Sequence, residues 1–143
     1  MLGEGGVSDL WQKSSPGPTR DGRAWGVDIT APGQNLFAAI STTSYWATLR
    51  FNSPQGSPGS PIEYSRFGGT SGSAPIVVGA VALMLQANPR LDASAARRIL
   101  RATARSDGFT GAVPNTAWGH GKLDVNAAVG RAKDTVFLDA FEP

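Results

Sequence analysis

From Ala74 to Ala87 the chain is apolar at nearly every position, with only Gln86 clearly polar. A helix that is apolar all round is a buried helix, and the pattern predicts one over 71–87. Its three valines, Ile76 and Gly79 are poor intrinsic helix formers. Such a helix needs a sheet and other helices around it to be stable. Pro75 falls near the first turn, where N–H groups lack intrahelical partners, and Asn88-Pro89 stops the run.

A second helix is expected over about 93–105, with Asp92 as its N-cap. Ala96, Ile99, Leu100 and Thr103 recur at i, i+3, i+4, i+7 and make one buried face. Arg97, Arg98, Arg101 and Arg105 line the other side and read as a solvated face, although an arginine face could also bind an anion. A third helix, about 125–132, is capped by Asp124 and has Val125, Ala128, Val129 and Ala132 at helical spacing. The final segment, DTVFLDAFEP, reads as a terminal strand or a short linker.

The first half is less regular. Residues 1–26 are turn-rich, with Trp11 and Trp25 expected to pack on something larger. Val27–Ile29 and Leu36–Ile40 predict two short strands joined by a turn at Ala31-Pro32-Gly33. Residues 53–61, SPQGSPGSP, read as an extended, solvated insertion. The longest apolar run, Ile76–Leu85, is shorter than the roughly 18–20 residues of a membrane span, and MLGEGGVSDLWQK has no basic head and apolar core of a signal peptide.

Composition narrows the chemistry. The 143 residues carry 18 glycines and 10 prolines, consistent with many turns. Thirteen basic against eleven acidic residues is too even a balance to suggest nucleic acid. The absence of cysteine excludes disulfides, thiolate metal sites and thiol nucleophiles, and one histidine, His120, excludes any site needing two imidazoles. No acidic cluster has calcium-ligand spacing.

Gly68-Gly69-Thr70-Ser71-Gly72-Ser73-Ala74-Pro75 places a serine at the mouth of the apolar helix. Glycines before Ser71 allow a tight turn and close approach of a substrate. A helix N-terminus offers free N–H donors and partial positive charge, which is what acyl transfer requires where negative charge develops. A phosphate-binding loop is excluded because Gly-x-x-x-x-Gly-Lys-Ser/Thr is absent. The Gly-x-Ser-x-Gly elbow of α/β-hydrolases fails at its last position, which is Ser73. On local chemistry alone, a Gly/Ser loop that merely caps a core helix fits as well.

The segment GGTSGSAPIVVGAVALMLQANPRL resembles the active-site serine segment of subtilisin-like serine proteases, with Gly69, Thr70, Ser71, Ser73, Ala74, Pro75 and Gly79 in register. SSPGPTRDGRAWGVDITAPG and WGHGKLDVNAAV resemble two further segments of that family in the same order, so the likeness covers about residues 12–131. The resemblance implies an α/β fold, here the C-terminal portion of a three-layer architecture with a mostly parallel sheet. It implies residues 1–131 as the C-terminal part of a peptidase catalytic domain and 132–143 as a tail. Ser71 would be the catalytic nucleophile, with Gly69 and Thr70 shaping the oxyanion turn and the Ser71 N–H donating to the oxyanion. No metal ligand is assigned and no cofactor is evident; the resemblance leaves structural calcium open for a full-length parent. The implied partner is a polypeptide substrate, with no nucleic acid, membrane or oligomer, and the implied location of the parent is extracellular or periplasmic.

The resemblance also implies a histidine base and an orienting aspartate upstream of the serine. None of the 70 residues before Ser71 is histidine, and Asn35 and Asn52 lack the context of the family's oxyanion asparagine. His120 follows the serine, in a Gly119-His120-Gly121 turn, and reads as a surface turn residue. The chain is therefore expected to be inactive alone, and to aggregate or be molten where its apolar helix is left uncovered. A non-catalytic binding or inhibitory module derived from a protease is the alternative.

Overall fold

A computed structural model describes residues 10–22, 26–41, 43 and 63–139, with side chains at 63–66 and 136–139 excepted. Trp25 and the 53–61 insertion lie outside the described residues. In chain order the elements are β1 (Leu36–Ile40), β2 (Glu63–Phe67), α1 (Thr70–Ala87), α2 (Ala93–Thr103) and α3 (Val125–Asp139).

β1 forms where expected, and pairs antiparallel with β2, from Leu36 opposite Phe67 to Ile40 opposite Glu63. β2, sequence EYSRF, has too few apolar residues for its pattern to stand out. The strand expected over Val27–Ile29 is reduced to a single bridge: Thr30 pairs in parallel with Lys122. The Thr30 N–H donates to the Gly121 carbonyl at 2.9 Å, and the Leu123 N–H to the Thr30 carbonyl at 2.8 Å. Lys122 also exchanges two 2.8 Å backbone bonds with Arg105. The described part is thus α/β, with one antiparallel pair and a parallel contact beside the helices.

α1 spans 18 residues, long and apolar enough by length and composition to cross a membrane. It exceeds the ten-residue apolar run because the small polar residues at Thr70–Ser73 are helical too. Pro75 is its sixth residue, past the free N–H groups of the first turn. The N–H that proline lacks is the one that would reach the Ser71 carbonyl. Of α1, Gly72, Ala80 and Met84 are buried, while Val78, Leu83 and Leu85 are 67%, 48% and 40% exposed. The helix is therefore buried on one side only, not all round.

The core lies where α3 meets α1 and α2. Met84, Leu91, Ala96, Ile99, Leu100, Ala128 and Ala132 form it, with Ile29, Val77, Val81 and Leu123 packed at its edge. Asp92 caps α2 as expected, its carboxylate accepting the Ala95 N–H at 2.6 Å. Asp124 caps α3 by accepting the Ala127 N–H at 2.9 Å. Asn88 does more than end α1: its buried amide donates to the Ala132 carbonyl of α3 at 3.3 Å and accepts the Arg90 N–H at 3.1 Å. α3 continues to Asp139, so the segment read as strand or linker begins as helix. Proline and glycine are absent from Arg131–Asp139, and nothing there ends a helix.

Arg97, Arg98 and Arg105 are exposed as expected and Arg101 partly so, but two of the three α2 arginines are also paired. Arg97 and Arg101 stand one turn apart and converge on Asp28, Arg97 Nε at 2.7 Å and Arg101 Nε at 3.0 Å from its carboxylate. Burial alone would raise the Asp28 pKa, but the hydrogen bonds from Arg101 and Arg97 outweigh it and hold the carboxyl below its usual range.

Candidate active site

The turn that carries Ser71 is built on Gly69. Its φ of 113° is closed to ordinary L-residues, and this lets the chain leave β2 and enter α1 within three residues. Its N–H donates to the Gly33 carbonyl at 2.7 Å. Two residues past Ser71, the Ser73 hydroxyl donates to the Ala31 carbonyl at 3.2 Å. Ala31 and Gly33 are both buried. The Ala31-Pro32-Gly33 turn therefore grips the serine turn from both sides of Ser71, and is itself held by the Thr30–Lys122 bridge.

Gly72 adds a third constraint. A Cβ there would lie 2.6 Å from Leu36 Cδ1 and 3.2 Å from Phe67 Cε2. The β1–β2 pair thus packs directly against the residue following Ser71. The side chain of Ser71 is exposed. Gly72 and Ser73 donate back to the Gly69 carbonyl at 2.9 and 3.3 Å, whereas among the described residues the N–H groups of Thr70 and Ser71 meet no acceptor. Those two donors at a helix N-terminus can stabilise an oxyanion beside the Ser71 hydroxyl.

The structure does not join His120 to Ser71 among the described residues. The His120 backbone N–H donates to the Asp28 carbonyl at 2.7 Å. Asp28 is taken by two arginines, Asp92 and Asp124 by helix N-termini, and Asp107 by Lys122. Asn35 is exposed, with φ 54°, just before β1; Asn52 lies outside the described residues. The structure thus brings Gly69, Thr70 and Ser71 together with two backbone donors, and among the described residues it joins no base to them.

Two features escaped the sequence reading. Ser73 stands out in the sequence only as a position in register with the family's serine segment, and its 42-residue reach to Ala31 has no local signal. Lys122 is buried, with Nζ 2.6 Å from Asp107 Oδ2 and 5.0 and 5.2 Å from the centres of the Trp118 and Phe109 rings. The Lys122 hydrogen bond is the chief reason that the Asp107 carboxyl is held below its usual range. The backbone N–H groups of Phe109 and Thr110, which donate to the same carboxylate at 3.0 and 3.2 Å, act in the same direction.

The model of the subtilase family matches residues 6–121. The chain is 39% identical over 88 residues to the serine protease AprX of Bacillus subtilis, a match covering 62% of this chain and 19% of AprX. Among solved structures, a protease from Pseudoalteromonas arctica is 29% identical with a TM-score of 0.53, covering 74% of this chain and 29% of that one. Fervidolysin from Fervidobacterium pennivorans, a keratinolytic enzyme related to subtilisin, is 25% identical with a TM-score of 0.53, covering 69% of this chain and 14% of its own. The chain spans about a fifth of the length of AprX. With the subtilase model matching most of its length, the chain belongs to the subtilase family.

Proposed function

We propose that this chain is the nucleophile-bearing C-terminal part of a subtilisin-like serine endopeptidase. The observation that carries the reading is the exposed Ser71 at the mouth of α1, flanked by two N–H groups without acceptors among the described residues. Ser71 Oγ would attack the scissile carbonyl of a polypeptide, its proton passing to a histidine base, and the acyl-enzyme would form as the C–N bond breaks and the histidine hands that proton to the departing amine. The Ser71 and Thr70 N–H groups would hold the developing oxyanion, and Gly69 would set the turn. Water would then release the acyl group by the same route in reverse. The working protein would act outside the cytoplasm, in the extracellular or periplasmic space.

The base and its orienting aspartate would come from residues other than these 143. By itself the chain is expected to be inactive, since removing one triad member costs about 10⁴-fold or more in turnover. A fluorophosphonate probe tests this. The 143-residue chain should remain unlabelled, and a longer product of the same gene that carries Asp and His segments should be labelled at Ser71 and lose labelling on Ser71→Ala. Labelling of the isolated chain at Ser71 would refute the claim that its serine is unactivated, and labelling of the longer product at any other serine would refute the assignment.

A further inference from the structure

We infer that Ser73 is a positioning residue for Ser71, an inference that rests on the reading of Ser71 as the nucleophile. Ser73 is half-buried, and its hydroxyl reaches across 42 residues to the Ala31 carbonyl at 3.2 Å. The Gly69 N–H makes the matching contact with Gly33 at 2.7 Å. These two bonds fall two residues after and two residues before Ser71, and both end on the same three-residue turn. A backbone pinned at both flanks leaves the residue between them little freedom to shift. Oxyanion donors work only when already in place as charge develops, and a displacement of about 1 Å is enough to cost a large factor in rate.

Helix α1 cannot supply this second pin alone. Pro75 removes the N–H that would have bonded the Ser71 carbonyl, so the helical ladder is interrupted at Ser71. Nor does a side chain cap the helix, since Gly69 stands at its N-cap. The Ser73 hydroxyl therefore supplies an anchor that the helix itself lacks at this point. Its donor function is separable from its size: threonine keeps the hydroxyl, whereas valine has the shape of threonine without it.

Amide hydrogen exchange on the full chain, at low micromolar concentration, tests the role without requiring catalysis. Ser73→Ala should raise the exchange rate of the Gly69, Gly72 and Ser73 amides roughly fivefold, the factor that one ordinary hydrogen bond confers, while amides of the α2–α3 core are unchanged. Ser73→Thr should restore protection to within about twofold of the parent, and Ser73→Val should not. Unchanged exchange at Gly69 in Ser73→Ala would overturn the inference. So would protection by valine equal to that by threonine, or a parent chain whose turn amides exchange as if unstructured. The outcome is independent of fluorophosphonate labelling, so a failed nucleophile assignment and a failed positioning role give different results.

Discussion

Substituting alanine for Gly119 separates backbone strain from crowding, because Gly111 provides a matched control. The two glycines have nearly the same φ, +59° and +61°. At Gly111 a new Cβ would meet nothing within 4 Å, whereas at Gly119 it would collide with the backbone of Val27 and Asp28. Gly111→Ala therefore costs only the left-handed conformation, about 1 kcal/mol. Gly119→Ala carries that cost and also forces apart the Trp118–Gly121 turn and the segment at Asp28. The 2.7 Å bond from the His120 N–H to the Asp28 carbonyl and the paired bonds between Gly119 and Asn115, at 2.8 and 3.0 Å, are then at risk. At about 1 kcal/mol net for each of these three bonds, added to about 1 kcal/mol of backbone strain, the total is expected to reach about 4 kcal/mol. Urea denaturation of the buried core, followed by far-ultraviolet circular dichroism at low micromolar concentration to limit association through the uncovered face of α1, measures both. With a slope of about 2 kcal/mol/M, the midpoint should fall by ~0.5 M for Gly111→Ala and by ~2 M for Gly119→Ala. Equal shifts in the two variants would refute the role given to the Asp28 contact.

Acid should loosen the fold by a defined route. Asp28 and Asp107 both titrate below the ordinary 3.8 in the folded chain, so the unfolded chain binds protons first as the pH falls. Their contribution is complete above the ordinary carboxylate value and lost as the pH drops through the folded one. Unfolding midpoints should decline below about pH 4, and Asp28→Asn together with Asp107→Asn should flatten that decline; an undiminished slope in the double variant would contradict the assignment. The exposed apolar face of α1 should drive self-association. Sedimentation of the chain is expected to depend on concentration, and Val78→Lys with Leu85→Lys should reduce it; wild-type-like association in the double variant would point to a different surface.

What could be read from the residues was local. Asp92 and Asp124 announce their helices because a short acidic side chain ahead of an apolar repeat satisfies free N–H groups in its own vicinity. Gly69-Thr70-Ser71 is legible for the same reason, since the turn, the helix start and the serine occupy one short stretch. The misses required partners remote in sequence. The pairing of Arg97 and Arg101 has no local signal because their acceptor, Asp28, lies 69 and 73 positions away. β2 is recognisable chiefly through its pairing with β1. Lys122 is a charge buried among Trp118, Phe109 and Asp107, a constellation assembled only by the fold.

The apolar stretch of α1 correctly implied a helix that needs cover, and the structure specifies which side lacks it. Ser71, Ala74, Val78, Ala82 and Leu85 follow one another at steps of three and four residues, so they share one face of the helix. All five are exposed. The opposite side, with Ala80 and Met84, is buried against the rest of the chain. Ser71 thus begins the uncovered stripe, and a polypeptide layer that covers the stripe from Leu85 back to Ala74 would also border Ser71. Two deficits then have one location. The side of α1 that lacks apolar cover among the described residues is the side on which the proposed nucleophile lacks a base.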